Sequence, residues 1–155
     1  IFSLPILRGK RLALISRSGG HGVLSADAAY RYGFEFAGFS EDFFKAIKDK
    51  KLNVIAATNP LDIGDVYDLN EYNPILEMAL REEGVDGVVF VVTYSSESDG
   101  SKVRDFIRYA SEITPGYGKP VALCVVTNRE EWFAIKEAAD LPVFTDVDQA
   151  MRSLS

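Results

Sequence analysis

Seven residues near the start of the chain form the pattern with the clearest chemical meaning. The apolar run 12–15 ends at Ser16-Arg17-Ser18-Gly19-Gly20-His21-Gly22, and helical spacing begins at Val23. A helix start leaves backbone N–H groups without partners and carries about half a positive charge. Glycines there let an anion approach the backbone without meeting a Cβ atom. The pattern predicts a strand, a glycine-rich loop and a helix that together bind phosphate.

The side chains within this loop extend the candidate phosphate site. Arg17 can grip phosphate with two guanidinium nitrogens, or it can be a solvated turn residue. The glycines can also serve only a tight strand-to-helix turn, because a lone Gly-Gly-x-Gly is a weak motif. The predicted phosphate-binding residues are Arg17, Ser18, Gly19, Gly20, His21 and Gly22.

His21 is the single histidine of the chain. A phosphorylated histidine would need an orienting partner on its second ring nitrogen, and the local sequence supplies none. We therefore predict no catalytic residue, and we expect His21 to face solvent or a partner subunit. One histidine, one cysteine and acids without calcium-loop spacing also predict no metal site.

A second polar turn, Asn59-Pro60-Leu61-Asp62-Ile63-Gly64-Asp65, carries two further candidates. Asn59 and Asp62 can contact a ligand, or they can brace the turn through local backbone hydrogen bonds. A third loop, residues 94–100, offers hydroxyls and carboxylates.

These loops must be positioned by alternating strands and helices. Apolar runs predict strands at 12–15, 34–39, 52–57, 87–93 and 121–126, with an edge strand at 141–144. Helical spacing predicts helices at 23–32, 68–83, 101–113 and 129–139, with further helices capped by Ser40 and Asp146.

Five β-α units in succession predict an α/β fold. The size favours a flavodoxin-like doubly wound parallel sheet of about five strands, in the order 2-1-3-4-5, with helices on both faces. Such sheets bind ligands where the strand order reverses, here expected between the carboxyl ends of strands 1 and 3. The glycine-rich loop and the Asn59 turn both leave the sheet there. Residues 1–10 are interpreted as an N-terminal linker, and 11–155 as a single domain.

Charge and cysteine usage exclude several functions. The formal net charge of −6 disfavours a nucleic-acid surface, which needs clustered lysine and arginine. Cys124 lies alone in the apolar run 121–126, which predicts a small core residue in a reducing compartment. No apolar stretch approaches the roughly 20 residues that span a membrane. We expect a soluble, cytoplasmic protein without nucleic-acid or membrane partners.

Four segments of the chain together resemble one known family. They are Arg8-Gly9-Lys10-Arg11-Leu12-Ala13-Leu14-Ile15, Ser18-Gly19-Gly20-His21-Gly22-Val23-Leu24-Ser25-Ala26-Asp27, Asn59-Pro60-Leu61-Asp62 and Val85-Asp86-Gly87-Val88-Val89. In this order they resemble the second flavodoxin-like module of the NDP-forming acyl-CoA synthetases, relatives of succinyl-CoA synthetase. These enzymes interconvert acyl-CoA, nucleoside diphosphate and phosphate with carboxylic acid, CoA and nucleoside triphosphate.

The resemblance implies a role for the glycines. Gly19, Gly20 and Gly22 would form one of two helix starts that hold phosphate or the phosphohistidine of a partner domain. The family's phosphorylated histidine lies in another module, and His21 stands where the family often has proline. The resemblance further implies CoA-binding, phosphohistidine-bearing and ATP-grasp modules as partners. CoA, nucleotide and Mg²⁺ are expected in the complete enzyme, no cofactor is expected in this domain, and the isolated domain should lack turnover.

Two other functions stay open. Similar synthetase-like regions form regulatory modules of protein acetyltransferases, in which ligation can be lost. The same fold also supports flavin-binding and phospho-receiver domains. A flavodoxin needs a hydroxyl-rich phosphate loop, and only Ser16 and Ser18 precede the glycines with hydroxyls; a receiver needs an acidic pair where this chain has Arg17-Ser18.

Overall fold

A computed structural model describes residues 4–55, 57–138 and 140–155 of the chain. Within these residues the strands form a single parallel sheet. The strands are β1 (Arg11–Ser16), β2 (Glu35–Phe36), β3 (Leu61–Asp62), β4 (Gly87–Thr93), β5 (Val121–Val126) and β6 (Val143–Phe144). The helices are α1 (Gly19–Arg31), α2 (Glu41–Asp49), α3 (Tyr72–Arg81), α4 (Glu97–Tyr117), α5 (Arg129–Ala138) and α6 (Val147–Leu154), with a 3₁₀ turn at Leu69–Glu71 before α3.

Strand β1 is the centre of the arrangement. The order is β2-β1-β4-β5-β6, and β3 also pairs with β1. Strand β2 runs beside the beginning of β1 (Arg11↔Glu35), β3 beside its end (Ser16↔Asp62), and β4 along the opposite edge. The predicted α/β doubly wound parallel sheet is confirmed. When β3 is left out and the remaining strands are numbered 1 to 5 in chain order, their order in the sheet is 2-1-3-4-5, which is the predicted flavodoxin-like order.

The strand predicted at 52–57 is wrong. Residues 52–55 form no strand, Ala56 lies outside the described residues, and β3 comes later in the chain. This apolar run is not buried on both faces as a central strand would be, because Ile55 is 57% exposed while Leu52 and Val54 only cover the margin of the core. Strand β4 takes the place beside β1, so the strand order reverses between β1 and β4.

Helix boundaries also differ from the prediction. Helix α1 begins at Gly19 instead of Val23, because Ser18 is extended and the Gly22 amide donates to the Ser18 carbonyl oxygen at 2.9 Å. The predicted glycine-rich loop is therefore the first turn of the helix, and we call residues 19–22 the glycine turn. Helix α4 likewise extends the predicted 101–113 at both ends, and the predicted 68–83 helix divides into the 3₁₀ turn and α3.

Apolar side chains fill both faces of the sheet. Helices α1 and α6 cover one face, and α2 to α5 cover the other. Cys124 is fully buried on the α1 side, and burial raises the pKa of its thiol to about 12, as expected for an inert core residue. The predicted caps are present: Ser40 accepts from the Phe43 amide and Asp146 from the Gln149 amide. Among the described residues, no helix is both long enough and apolar enough to cross a membrane.

Candidate functional site

The glycine turn follows the carboxyl end of β1 after only two connecting residues. The Arg17 amide donates to the Val91 carbonyl of β4 at 3.0 Å. The Ser16 hydroxyl donates to the Ser18 carbonyl at 2.7 Å and accepts from the Ser18 amide at 3.1 Å. Ser16 is buried. These bonds fix the position from which α1 starts.

The start of α1 has backbone amides to offer. Its first intrahelical bond is donated by Gly22, and the Ser18 side chain makes no capping hydrogen bond. The amides of Gly19, Gly20 and His21 precede that bond, and the first amides of a helix have no carbonyl partner within it. These three N–H groups, and not that of Gly22, are the ones available to an anion.

The three glycines meet different surroundings. A Cβ atom on Gly20 would lie 3.8 Å from the Ser18 hydroxyl, and one on Gly22 would lie 3.6 Å from Pro60 Cβ, which are ordinary contacts. A Cβ on Gly19 would lie only 3.0 Å from Oδ2 of Asp62. Space is therefore tightest at Gly19.

Asp62 reaches the start of α1 from the neighbouring strand β3. Its Oδ1 accepts from the Gly64 amide at 2.9 Å, while its Oδ2 is the atom nearest the Gly19 position. The first turn of α1 itself contains no acidic residue. The carboxylate of Asp62 thus places a negative charge beside the helix start.

Asn59 lies in the same turn but is directed to the sheet. Its Oδ1 accepts from the Leu14 amide at 3.0 Å, and its Nδ2 donates to the carbonyls of Leu12 and Ala37 at 2.7 and 2.9 Å. The side chain therefore braces β1 against the segment that leaves β2. The Asn59 turn does meet the glycine turn, but it does so through Pro60 and Asp62.

A small pocket separates α1 from that turn. It has a volume of about 250 Å³ and is lined by Ser16, Ser18, Gly19, Gly22, Val23, Ala26, Pro60, Leu61 and Asp62. Pockets for drug-sized ligands measure about 300–1,000 Å³, so this one suits a smaller group.

Arg17 is held across the end of β4. Its Nη1 lies 3.2 Å from the Thr93 carbonyl oxygen and 3.2 Å from Oδ2 of Asp99. The side chains of Arg17 and Asp99 are 17% and 29% exposed. Asp99 lies within the predicted polar loop 94–100 but was not predicted individually, although an acid in the first turn of the helix after β4 is a usable signal once β1 and β4 are neighbours.

His21 is half-buried in the first turn of α1. Its carbonyl oxygen accepts from the Ser25 hydroxyl at 2.7 Å. The structure thus brings five predicted residues together around one helix start, namely Ser18, Gly19, Gly20, His21 and Gly22. Asp62 lies beside them, Arg17 is paired with Asp99 next to them, and Asn59 is directed elsewhere.

The fold and the glycine turn define a class: a doubly wound α/β domain with a helix start presented at the carboxyl edge of its sheet. No family model matches the chain. Acetate–CoA ligase (ADP-forming) II of Archaeoglobus fulgidus is 31% identical over 161 residues, which covers 99% of this chain and 23% of that protein. Acetate–CoA ligase (ADP-forming) I of the same organism is 26% identical and covers 99% and 22%.

Solved structures agree on the fold. A crystal structure from Pyrococcus horikoshii OT3 matches 97% of this chain and 35% of its own chain, with a TM-score of 0.82 and 20% identity. The dinucleotide-forming acetyl-coenzyme A synthetase 1 of Ca. Korarchaeum cryptofilum, in complex with phosphate and ADP, matches 97% and 33%, with a TM-score of 0.75 and 23% identity.

The resemblance to the NDP-forming acyl-CoA synthetases that the sequence predicted is therefore confirmed. The chain is related, over nearly its whole length, to a segment of the ADP-forming acetate–CoA ligases. It spans about a quarter of the length of these curated relatives, at 23% and 22%.

Proposed function

We propose that this chain is the phosphate-holding module of an NDP-forming acyl-CoA ligase. The amides of Gly19, Gly20 and His21 would bind phosphate, or the phosphohistidine of a partner domain. One observation carries the proposal: the first helical bond is donated by Gly22, so the three preceding amides are left to a ligand at the carboxyl edge of the sheet.

The physical advantage of this site is that its donors are fixed beforehand. The Ser16 and Ser18 bonds and the bond from Arg17 to β4 hold the start of α1 in place. Donors that need not move when charge develops stabilise a transferring phosphoryl group most effectively. The helix dipole adds to the same effect.

Two side chains would complete the phosphate contacts. Nη1 of Arg17 is engaged by Thr93 and Asp99, and its other guanidinium nitrogens would donate to the phosphate. The Ser18 hydroxyl, which makes no capping bond, would donate a further hydrogen bond.

The complete enzyme would convert acyl-CoA, nucleoside diphosphate and phosphate into carboxylic acid, CoA and nucleoside triphosphate. The names of the related ligases, and the phosphate and ADP in the Korarchaeum complex, support this assignment. In the part of this chain that the structure describes, no three His, Cys, Asp or Glu side chains come together as metal ligands. By the same resemblance, we propose that CoA, nucleotide and Mg²⁺ bind to other modules of the complete enzyme and that this chain alone lacks turnover.

A titration with inorganic phosphate, followed by ¹H–¹⁵N NMR, tests the binding claim. We expect saturable shifts at the amides of Gly19, Gly20 and His21. The amide of Gly116, in the last turn of α4, serves as the internal control. Absence of shifts in the glycine turn at millimolar phosphate would contradict binding by this chain.

A matched pair of variants locates the site. Ser18→Asp puts a carboxylate at the N-cap of α1, where it would accept from the amides that phosphate needs. Ser96→Asp makes the same change at α4, whose serine N-cap also makes no side-chain capping bond. We expect Ser18→Asp to abolish the shifts and Ser96→Asp to keep them. If Ser96→Asp abolished the shifts and Ser18→Asp kept them, the anion site would lie at the start of α4 instead.

The ligase assignment is tested by replacement. This chain is substituted for its matching segment in the Archaeoglobus acetate–CoA ligase II, and ATP formation from acetyl-CoA, ADP and phosphate is measured. We expect activity with the wild-type chain and loss of activity with Ser18→Asp. A folded chimera that binds phosphate at the glycine turn without any turnover would favour a regulatory module.

A further inference from the structure

The start of helix α1 has a carboxylate beside it that comes from another element of the fold. The first turn of α1 contains no acidic residue, yet Oδ2 of Asp62 lies 3.0 Å from the point that a Cβ on Gly19 would occupy. A carboxylate beside a helix start stabilises that helix, because its charge complements the dipole. When no anion is bound, the carboxylate of Asp62 therefore supplies the negative charge at the helix start that a bound anion would supply.

Backbone pairing and one side-chain hydrogen bond hold Asp62 in this position. Asp62 is paired with Ser16 in the sheet, and the next residue, Ile63, donates its amide to the Ser16 carbonyl at 2.9 Å. Oδ1 of Asp62 is bound to the Gly64 amide. A side-chain rotation that takes both carboxyl oxygens away from this position would break the Gly64 bond.

Among the described residues, no cation forms an ion pair with Asp62. The ion pairs found among the described residues engage other carboxylates, and Arg17, the cation of the same loop, is paired with Asp99. A phosphate that binds at the glycine turn must therefore approach a fixed carboxylate.

We propose that Asp62 is the charge-determining residue of the phosphate site, and that it weakens the binding of free phosphate dianion. This inference rests on the proposed function of the glycine turn. The site would then favour a phosphoryl group that a partner domain presents at high effective concentration, and would release inorganic phosphate readily. Asp62 stabilises the helix start when no anion is bound, and it repels free phosphate that approaches the site.

The test compares Asp62→Asn with Asp65→Asn in the 155-residue chain. The Asp62→Asn side chain keeps an oxygen for the Gly64 amide but loses the charge. Asp65 belongs to the same turn, where its Oδ1 accepts from the Tyr67 hydroxyl at 3.3 Å, and it provides the matched control. Dissociation constants for phosphate and for sulfate are measured by NMR at the glycine turn, together with the melting temperature.

We expect Asp62→Asn to bind both anions about ten-fold more tightly, since removing one unit charge at close range is worth about this factor in partly screened surroundings. Its melting temperature should fall, while Asp65→Asn changes neither quantity. Asp62→Ser, which also keeps a short acceptor without charge, replaces Asp62→Asn if the latter is unfolded.

If the wild type binds phosphate and the folded variants without a charge at position 62 bind it equally or more weakly, the role proposed for Asp62 is wrong. The phosphate site itself is then still supported. If neither the wild type nor these variants shift the amides of Gly19, Gly20 and His21, the proposed function fails, and the role of Asp62 fails with it. A gain in affinity equal in Asp65→Asn would also refute a specific role for Asp62.

Discussion

The side chain of Asn59 makes hydrogen bonds to β1 of the kind that a neighbouring strand would make. Its removal should destabilise the protein strongly. Asn59 accepts from the Leu14 amide and donates to the carbonyls of Leu12 and Ala37. The Leu12 carbonyl also accepts from the Ala37 amide at 2.9 Å, so it keeps a partner when Asn59 is lost. Asn59→Ala therefore leaves two backbone groups unsatisfied, the Leu14 N–H and the Ala37 C=O.

The expected cost follows from these two groups. Leaving a buried donor or acceptor without a partner costs about 1–3 kcal/mol, so the two together give about 2–6 kcal/mol. Asn59 is half-buried, and water that enters the gap would lower the cost toward about 2–4 kcal/mol. Whole domains are stable by about 5–15 kcal/mol, so the variant should stay folded at neutral pH with a clearly reduced margin.

Urea unfolding measures this change in the free energy of unfolding. Asn70→Ala is the control, because Asn70 is exposed and, among the described residues, its side chain bonds to Asp68 alone, within its own turn, at 2.9 Å. The control should lie within about 0.5 kcal/mol of the wild type. Asn59→Asp should be at least as harmful as Asn59→Ala, because it keeps the acceptor for Leu14 but turns a carboxylate oxygen toward two carbonyls.

A loss below about 1 kcal/mol for Asn59→Ala, with an unchanged dependence on urea, would refute this reasoning. It would mean that the segment leaving β2 is not held through Asn59.

Three further changes have defined outcomes. Tyr72→Phe should be neutral or stabilising by up to about 1 kcal/mol, because the buried Tyr72 hydroxyl has no hydrogen-bond partner among the described residues. Burial raises the pKa of Tyr72 to about 12, so the unfolded chain loses the phenol proton at a lower pH than the folded protein does. The free energy of unfolding therefore falls as the pH rises from about 10 to 12, and Tyr72→Phe should make that alkaline loss shallower. The hydrogen bond from Arg11 lowers the pKa of Asp86 below 3.8, so its stabilising contribution is lost as the pH falls from that ordinary value through the lowered one, and Asp86→Asn should flatten this acid limb. Gly100→Ala should cost about 1–3 kcal/mol in urea unfolding, because the new Cβ would displace the Glu131 carboxylate from its bonds with Arg104 and Tyr94.

Controls make these results decisive. Gly116→Ala has open space around the new Cβ and should not destabilise α4; equal losses at both glycines would refute the overlap at Gly100. A Tyr72→Phe protein less stable by over about 2 kcal/mol would show that the hydroxyl has a partner. Asp86→Asn with an unchanged acid limb would show that the pair with Arg11 does not stabilise the fold.

Burial on both faces made three strands predictable from the sequence. The runs 87–93 and 121–126 coincide with β4 and β5, and the run 12–15 lies within β1, because a central parallel strand must be apolar on both sides. The same argument failed at 52–57, where an apolar run covers the core margin with Ile55 exposed. Apolar composition alone does not distinguish these two environments.

The position of the helix start was predictable from the sequence, but the contacts of the side chains around it were less so. The spacing from Ser18 to Gly22 located the helix start, but the low helix propensity of glycine placed that start at Val23 instead of Gly19. The contacts of Asn59 with Ala37 and of Asp62 with Gly19 join distant parts of the chain. Such contacts depend on strand register, which local spacing does not specify.

A crystal structure of the 155-residue chain grown with inorganic phosphate tests the central claim most directly. We predict a phosphate whose oxygens lie about 2.9 Å from the amide nitrogens of Gly19, Gly20 and His21. Phosphate bound elsewhere on the chain, with these three amides bound only to water, would contradict the account.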